Sequence, residues 1–362
     1  MVRERGFFGK VIVFLLTVFA VIGLIAMSLS IICPYVNPNG FVWIAFFGLA
    51  FWEIFVFNVV IFILLLMMWS RKAWIALLAL VISTPGVRKS FAFGSKVDSP
   101  HGIKVMSYNV HMFGHIDGTT EKEAFYNQVV NFVREQSPDV LCFQEFAKYK
   151  NGVTIDKFAE SIGFPYVLYN QDNSFGGNVV FSKYPISKVS EDSGFGKGNA
   201  FGVMALVDTG ERGSFYLASV HLISYKLSNH EIDVLVRPSE QHNALDTVGM
   251  SVIRKLKYGY EQRAEEIGTV LQAMPPVNGP VIVCGDFNDT PLSYVYRQMQ
   301  KAGFVDTFTK VGHGIKPTYA GRLPLLRIDY IWANDKVTPL NFNRCRYKAS
   351  DHYPVILEFA IN

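Results

Sequence analysis

Residues 281–290, VIVCGDFNDT, carry the pattern on which the fold reading turns. An apolar run, Val281 to Gly285, reads as a buried strand and stops abruptly at Asp286 and Asn288. A polar side chain at the end of a buried strand is costly unless it meets another polar group, a ligand or a metal. One such ending is ordinary, because an Asp after a strand commonly serves a turn.

Here the ending recurs. IKVMSYN stops at Asn109, DVLCFQE at Glu145 and FYLASVH at His221; RID carries Asp329, and SDHYPV carries Asp351 and His352. Convergence on one site explains the repetition better than chance does. The donors are mostly Asp, Glu and Asn oxygens, which suit a hard cation, Mg²⁺ or Mn²⁺, better than zinc. No HExxH motif or CxxC pair offers a different metal chemistry.

Around these endings, residues 103–362 alternate short β-rich runs with loops and helices. Strands are expected at 103–110, 140–143, 178–181, 215–221, 281–285, 328–332 and 355–360. Amphipathic helices are expected at Glu121–Glu135 and Tyr260–Met274, the second stopped by Pro275-Pro276. Such an alternation is the signature of an α/β or α+β layered domain. Ile223 to Lys257 is the least patterned segment and reads as an insertion. Tyr225, Leu235, Val236 and Arg237 on it are expected to form part of a substrate wall.

The first 93 residues are a different material. Half of the 362 residues are hydrophobic and 14% aromatic, and the excess lies almost wholly before residue 90. Val11 to Cys33 is uncharged and long enough for a bilayer span, which needs about 20 residues. Phe41 to Trp69 is a second candidate, with Glu53 as its one charge. A lone acid at that depth is either functional or satisfied against another helix. Ala73 to Ser83, between Arg71-Lys72 and Arg88-Lys89, is a tilted third crossing or an interfacial helix. Residues 1–93 are therefore read as an all-α membrane region of two or three transmembrane helices, joined by a linker at 94–102. Basic flanks place the N-terminus on the cytoplasmic side of a multi-pass inner-membrane protein. Three crossings put the catalytic domain outside, and two put it inside.

Charge divides in the same way. Residues 1–100 hold eight basic and three acidic side chains, whereas residues 101–362 hold 26 and 27. The soluble part lacks the excess of Lys and Arg that neutralises nucleic-acid phosphates. Cys142 and Cys284 sit in apolar runs as small core residues, and Cys33 and Cys345 complete the four cysteines.

In order along the chain stand SYNVHMF, CFQEF, GGNVVFSKYPI, SVHL, GDFNDTP, RIDYIW and SDHYPV. This ordered set resembles the endonuclease/exonuclease/phosphatase superfamily, which includes pancreatic-type deoxyribonucleases, apurinic endonucleases, sphingomyelinases and inositol polyphosphate phosphatases. The resemblance covers residues 101–362 and none of the membrane part. It implies a four-layered αββα sandwich with the site at one edge of the central sheets, and a divalent-metal-dependent phosphoesterase activity with Mg²⁺ or Mn²⁺ as cofactor. By matching motif positions, Asn109, Glu145 and Asp351 hold the metal, Glu145 directly. Asp286 positions or deprotonates the attacking water, Asn288 binds a phosphate oxygen, and His352, oriented by Asp329, stabilises developing charge. His221 adds a phosphate contact, and Asn178 is a further substrate-binding candidate. Either His352 or Asp286 serves as the base. His111 departs from the acid that apurinic endonucleases place two residues after the first-strand Asn, which argues against an abasic-site repair enzyme.

His101, His115, His230, His242 and His313 match no motif position and read as loop histidines. Thr318-Tyr319 lies in a loop before RIDYIW, within reach of a substrate. Three functions follow: a phosphoesterase acting on a lipid head group or other phosphoester beside the bilayer, a nuclease, or a silent membrane protein that keeps the fold for binding.

Overall fold

In the computed structural model the described residues are 6–97, 102–114, 122–146, 154–169, 177–189, 194–195, 202–236, 245–274, 278–321, 325–347 and 349–362. The chain divides into two compact units, Met1–Ser90 with Thr290–Arg297, and Phe91–Asp289 with Gln298–Asn362.

The first unit is helical. Phe7–Ile32 is one uninterrupted helix. It packs on Phe51–Met67 through small residues: Asn58 Nδ2 donates to Gly23 O at 3.2 Å, and a Cβ on Gly23 would stand 2.5 Å from Asn58 Oδ1. Close backbone approach at a glycine with an interhelical amide bond is the packing mode of helices in lipid. Ala20, Ile61, Leu65 and Ala76 form the small interior. Outward faces are apolar, with Phe14, Leu15, Phe19, Ile22, Val56, Val60 and Leu66 all exposed.

Multiple crossings do not follow from this geometry. Among the described residues, one helix (Phe7–Tyr35 with its terminal turn) is long and apolar enough to span a bilayer. The second candidate is broken, Pro38–Leu49 meeting Phe51–Met67 at 51°, because Ala50 leaves helical geometry (ψ 17°). The third, Ala73–Ile82, has 10 residues, about 15 Å of rise against a core about 30 Å thick. Glu53 is exposed in the first turn after the break, where the helix N-terminus favours an acid.

The second unit is built on two sheets, whose strands are numbered along the chain. One sheet has the spatial order β14 (Val337–Arg344), β15 (Val355–Ile361), β2 (Ile103–Asn109), β3 (Val140–Phe146), β5 (Gly177–Ser182), β4 (Tyr166–Tyr169). The other runs β11 (Val305–Asp306), β13 (Asp329–Ala333), β10 (Val281–Asp286), β9 (Ser214–His221), β8 (Gly202–Asp208), β6 (Ile186–Lys188), with β7 (Gly194–Phe195) also on β8. A small ribbon pairs β1 (Ala92–Phe93) with β12 (His313–Gly314).

Side chains alternate as the pleat requires. Val105, Cys142 and Val180 face inward to meet Val203, Leu217, Cys284 and Ile331 of the other sheet. Met106, Tyr108, Leu141 and Phe143 face outward under helices Lys122–Gln136 and Ile155–Ile162, against Val129, Val133 and Phe158. Both faces being covered, these strands read as continuous apolar runs. The layering is that of an αββα sandwich.

The second outer layer departs from expectation. Leu245–Ala273 is one 29-residue helix, beginning fifteen residues before Tyr260 and absorbing much of the supposed insertion. Buried Val252, Tyr260, Arg263, Ile267 and Val270 follow the helical period, and the charged Arg263 interrupts the apolar stripe that would have shown it. Strands β4, β6, β8 and β14 were likewise not legible.

Candidate active site

Among the described residues each sheet contains one parallel pair, β2–β3 and β9–β10, and parallel strands deliver their C-terminal ends to the same edge. In register, Asp286 lies beside His221 on one side and Asp329 on the other. Asn109 pairs with Gln144, one residue before Glu145. Asn109 also crosses between the sheets, its Nδ2 donating to Glu145 Oε1 at 3.1 Å and to Asp286 Oδ2 at 3.0 Å. The strand ends are thus one polar cluster.

Local backbone distortions aim its members. The β3–β5 register shifts between Phe143 and Phe146, and Glu145 within that bulge has φ 54°. Strict alternation would put Glu145 on the outer face with Phe143; the bulge turns it to the edge instead. Asn288 (φ 51°) and His111 (φ 43°) are left-handed too. Such conformations cost about 1–3 kcal/mol each and cluster at functional sites. Gly285 (φ 138°) is required where β10 meets β9, since a Cβ there would stand 1.9 Å from Val220 O.

His352 occupies the centre. Its Nδ1 lies 3.0 and 3.2 Å from the Asp329 oxygens, and its Nε2 lies 3.5 Å from Asp286 Oδ2. Burial opposes the charge, but the two carboxylates hold the imidazole well above the ordinary histidine range. Asp286 is pushed up to about 6, first by burial and also by Asp329, against the pull of His352. Thr318, fully buried, does not reach a substrate; its Oγ1 accepts from the backbone N–H of Ile328 and Asp329 and fixes that strand end.

Glu145 and Asp351 are half-exposed. His111 Nδ1 stands between them, 3.6 Å from Glu145 Oε2 and 3.3 Å from Asp351 Oδ1. Burial raises the Glu145 carboxyl, but His221, the Asn109 amide and His111 outweigh it and hold it below the usual range. His221 Nε2 is buried without a hydrogen-bond partner among the described residues, 3.5 Å from Glu145 Oε1. Asn288 is tied down at two points: its N–H donates to Asp286 Oδ1 at 2.8 Å and its Nδ2 to Leu222 O at 2.9 Å.

Of the candidates read from sequence, Asn109, Glu145, His221, Asp286, Asn288, Asp329, Asp351 and His352 come together. Asn178 does not join them. It is buried in the layer behind, its Oδ1 accepting from Ser219 Oγ at 3.4 Å, and Gln144 Nε2 donates to the same hydroxyl at 3.1 Å. Its strand position faces the opposite sheet rather than the open edge, so it braces the two sheets. Asn109 uses its amide on two carboxylates and its Oδ1 on the His111 N–H (3.0 Å), so it orients the cluster's donors. His230 and His313 are exposed, whereas His101, His115, His242 and Arg237 lie outside the described residues.

Two groups were missed. His111 belongs to the cluster although it departs from the family pattern. Arg263, fully buried, donates from Nε to Asp289 Oδ2 (3.3 Å) and from Nη1 to Ile223 O (2.9 Å), with its guanidinium 4.2 Å from the Tyr225 ring. A lone Arg on a helical apolar stripe was its only signal.

Two places in the cluster bear on cation binding, one a compact group and the other a more open set around Glu145. Asp286, Asp329 and His352 place ligand atoms within 4.8 Å of one another. There, however, His352 is ion-paired on both nitrogens, and a metal requires a neutral imidazole. Glu145 and Asp351 are half-exposed, with His111 between them and His221 Nε2 3.5 Å from Glu145, and these accessible carboxylate oxygens suit a hard divalent ion.

The chain matches the Endonuclease/Exonuclease/phosphatase family over residues 106–352. Residues 10–90 match a domain of unknown function (DUF8431). No curated protein matches the chain. Among solved structures, the human Nocturnin catalytic domain with bound sulfate anion is 17% identical at a TM-score of 0.53, covering 74% of this chain and 97% of that one. An endonuclease/exonuclease/phosphatase from Beutenbergia cavernae is 19% identical at 0.51, covering 72% of each. The 3′ phosphatase NExo from Neisseria, bound to product DNA hairpin, is 17% identical at 0.50, covering 71% and 99%. At such identities the likeness establishes the fold.

Proposed function

We infer that the chain is a divalent-metal-dependent phosphoesterase from two facts: it belongs to the Endonuclease/Exonuclease/phosphatase family, whose members are hydrolases acting on phosphoester bonds, and its strand ends converge. The convergence of Asn109, Glu145, Asp286 and His352 on one edge is the observation that carries the reading.

Glu145, with Asp351, His111 and His221 around it, would hold the ion, Mg²⁺ or Mn²⁺. When bound, a hard cation supplies charge neutralisation to the phosphoryl oxygens. The remaining work falls to side chains of this chain. Asp286 takes the proton of the attacking water: it is buried, oriented by Asn109 and the Asn288 N–H, and a carboxylate near 6 is mostly ionised at neutral pH. His352, between Asp329 and Asp286, is an imidazolium and so donates to a phosphoryl oxygen instead of acting as base. Asp329 fixes the ring. Asn288 commits one amide hydrogen to Leu222 O and keeps the second for phosphate.

The apolar, outward-facing helices of residues 7–82 support a membrane attachment, with Phe7–Ile32 as its anchor and Phe51–Met67 and Ala73–Ile82 as further inserted elements. Phe7–Ile32 alone is the proposed crossing, and with the basic N-terminus cytoplasmic a single crossing leaves the catalytic domain on the outer side of the membrane. A nuclease is the second reading, favoured by fold likeness to a phosphatase bound to DNA and opposed by the balanced charge of residues 101–362.

Calorimetric titration of the full chain with Mn²⁺ tests the metal assignment. Glu145→Gln is expected to weaken binding at least tenfold and to lower phosphodiester hydrolysis with it. Unchanged Mn²⁺ affinity in a folded variant would remove Glu145 from the metal site.

A further inference from the structure

The cleft holding this cluster, about 340 Å³, has a lining of two unlike kinds. His111, Glu145, Asp286, Asn288, Asp351 and His352 supply the reacting groups. Most of the rest is apolar or aromatic: Tyr225, Leu227 and Ile232 from one segment, Tyr319, Leu326 and Ile328 from another. We propose that these residues seat an alkyl or acyl chain carried next to the scissile phosphoester, so that the substrate is an amphiphilic phosphoester. The proposal rests on the phosphoesterase reading and deepens it.

Three observations carry it. Ile232 and Ile328 are buried, but Leu227 and Leu326 are only half-buried in the cleft, and Leu325 beside them is 49% exposed. Apolar side chains grouped at the mouth of a site mark an apolar ligand. Next, Lys226 is the one Lys or Arg among the described lining residues, and it is exposed. A polynucleotide track needs a row of such charges along the backbone. Finally, the Arg263 guanidinium packs 4.2 Å from the Tyr225 ring, so that ring has one face already covered and is a poor platform for stacking a base. A hydrocarbon chain asks nothing of the wall except area.

The test uses the full chain in lipid nanodiscs with Mn²⁺ and a soluble series of methyl, ethyl, propyl and butyl p-nitrophenyl phosphate. The wild type is expected to gain kcat/KM with chain length, up to about fourfold per methylene where burial is complete. Leu227→Ser and Leu326→Ser are expected to flatten that gradient, while Leu227→Met restores it, which a merely structural defect would not do. Vesicles of phosphatidylcholine and phosphatidylglycerol separate the sources of the chain. Release of a water-soluble product from them identifies a lipid, and a chain-length gradient without such release identifies a soluble amphiphile; both uphold the inference. Cleavage of the series with no dependence on chain length would overturn it and leave the phosphoesterase reading standing. Preference for a single-stranded oligodeoxynucleotide over the butyl ester would overturn it in favour of nucleic acid. Failure to cleave any ester, by protein shown to be folded, would overturn the reading beneath it as well.

Discussion

Replacing Asp329 by Asn removes one charge and almost no volume from the buried pair at the centre of the site. The carboxylate oxygens lie 3.0 and 3.2 Å from His352 Nδ1, and both residues are buried. Two unit charges about 4 Å apart interact by about 4 kcal/mol at an effective dielectric near 20. If His352 stabilises charge that develops on the phosphoryl group, loss of that support lowers kcat by at most about 10³-fold at ~1.36 kcal/mol per decade. An observed fall of 10²- to 10³-fold is expected, with KM changed by less than about threefold, because the interaction strengthens in the transition state. Steady-state hydrolysis of bis(p-nitrophenyl) phosphate by full-length protein measures it, with a melting curve to confirm the fold. Asp329 acts through His352, so Asp329→Asn added to His352→Ala should cost little beyond His352→Ala alone. A single mutant within about threefold of wild type, or two effects that multiply, would refute this account of the pair.

Gly285→Ala should destabilise the second unit by about 3 kcal/mol or more, since φ 138° and a carbonyl 1.9 Å from the new Cβ leave no room; a melting temperature equal to wild type would contradict the packing. Arg263→Met should cost about 3–5 kcal/mol by breaking the buried pair with Asp289, and the double change with Asp289→Asn should recover part of it in denaturant unfolding. Recovery of nothing would mean the two are not coupled. Glu231 gives a pH dependence. Lys255, the Ser228 N–H and Ser251 hold its carboxyl down at about 2, and Ser228 and Glu231 form the capping box of helix Asn229–Val236. Because the folded value lies below the ordinary one, this support is complete above about pH 4.5 and lost as pH falls towards 2. Glu231→Gln should flatten the acid side of the stability profile, and a profile of unchanged slope would count against it.

The parts of the site that were legible are those whose cost is local. A polar side chain at the end of an apolar run is ordinary once but telling when it recurs, and so Asn109, Glu145, His221 and Asp286 could be read as a set, with His352 joining them through its motif. Positions whose meaning depends on a partner distant in sequence stayed hidden. Asn178 ends up behind the site because its strand faces Ser219 across the sheets, a fact of tertiary register. His111 acquires its place from Glu145 and Asp351, 34 and 240 residues away. The long helix was obscured by its own support residue, since Arg263 breaks the apolar period and its partners Asp289, Ile223 O and Tyr225, distant in sequence, make that burial tolerable. Strand β14 carries Pro339 at a register irregularity beside β15, which hides it from alternation. In the first unit, hydropathy showed the apolar character of the helices but not the break at Ala50.

The central claim is that the converged strand ends hydrolyse a phosphoester with a divalent ion. Its most direct test is bis(p-nitrophenyl) phosphate hydrolysis by full-length protein with Mg²⁺, with Mn²⁺ and with EDTA, beside Asp286→Ala. The account predicts turnover that EDTA abolishes, re-added metal restores, and the substitution lowers by about 10²- to 10⁴-fold, the range for loss of a general base. Turnover that survives EDTA, or that Asp286→Ala leaves intact in a folded protein, would contradict it.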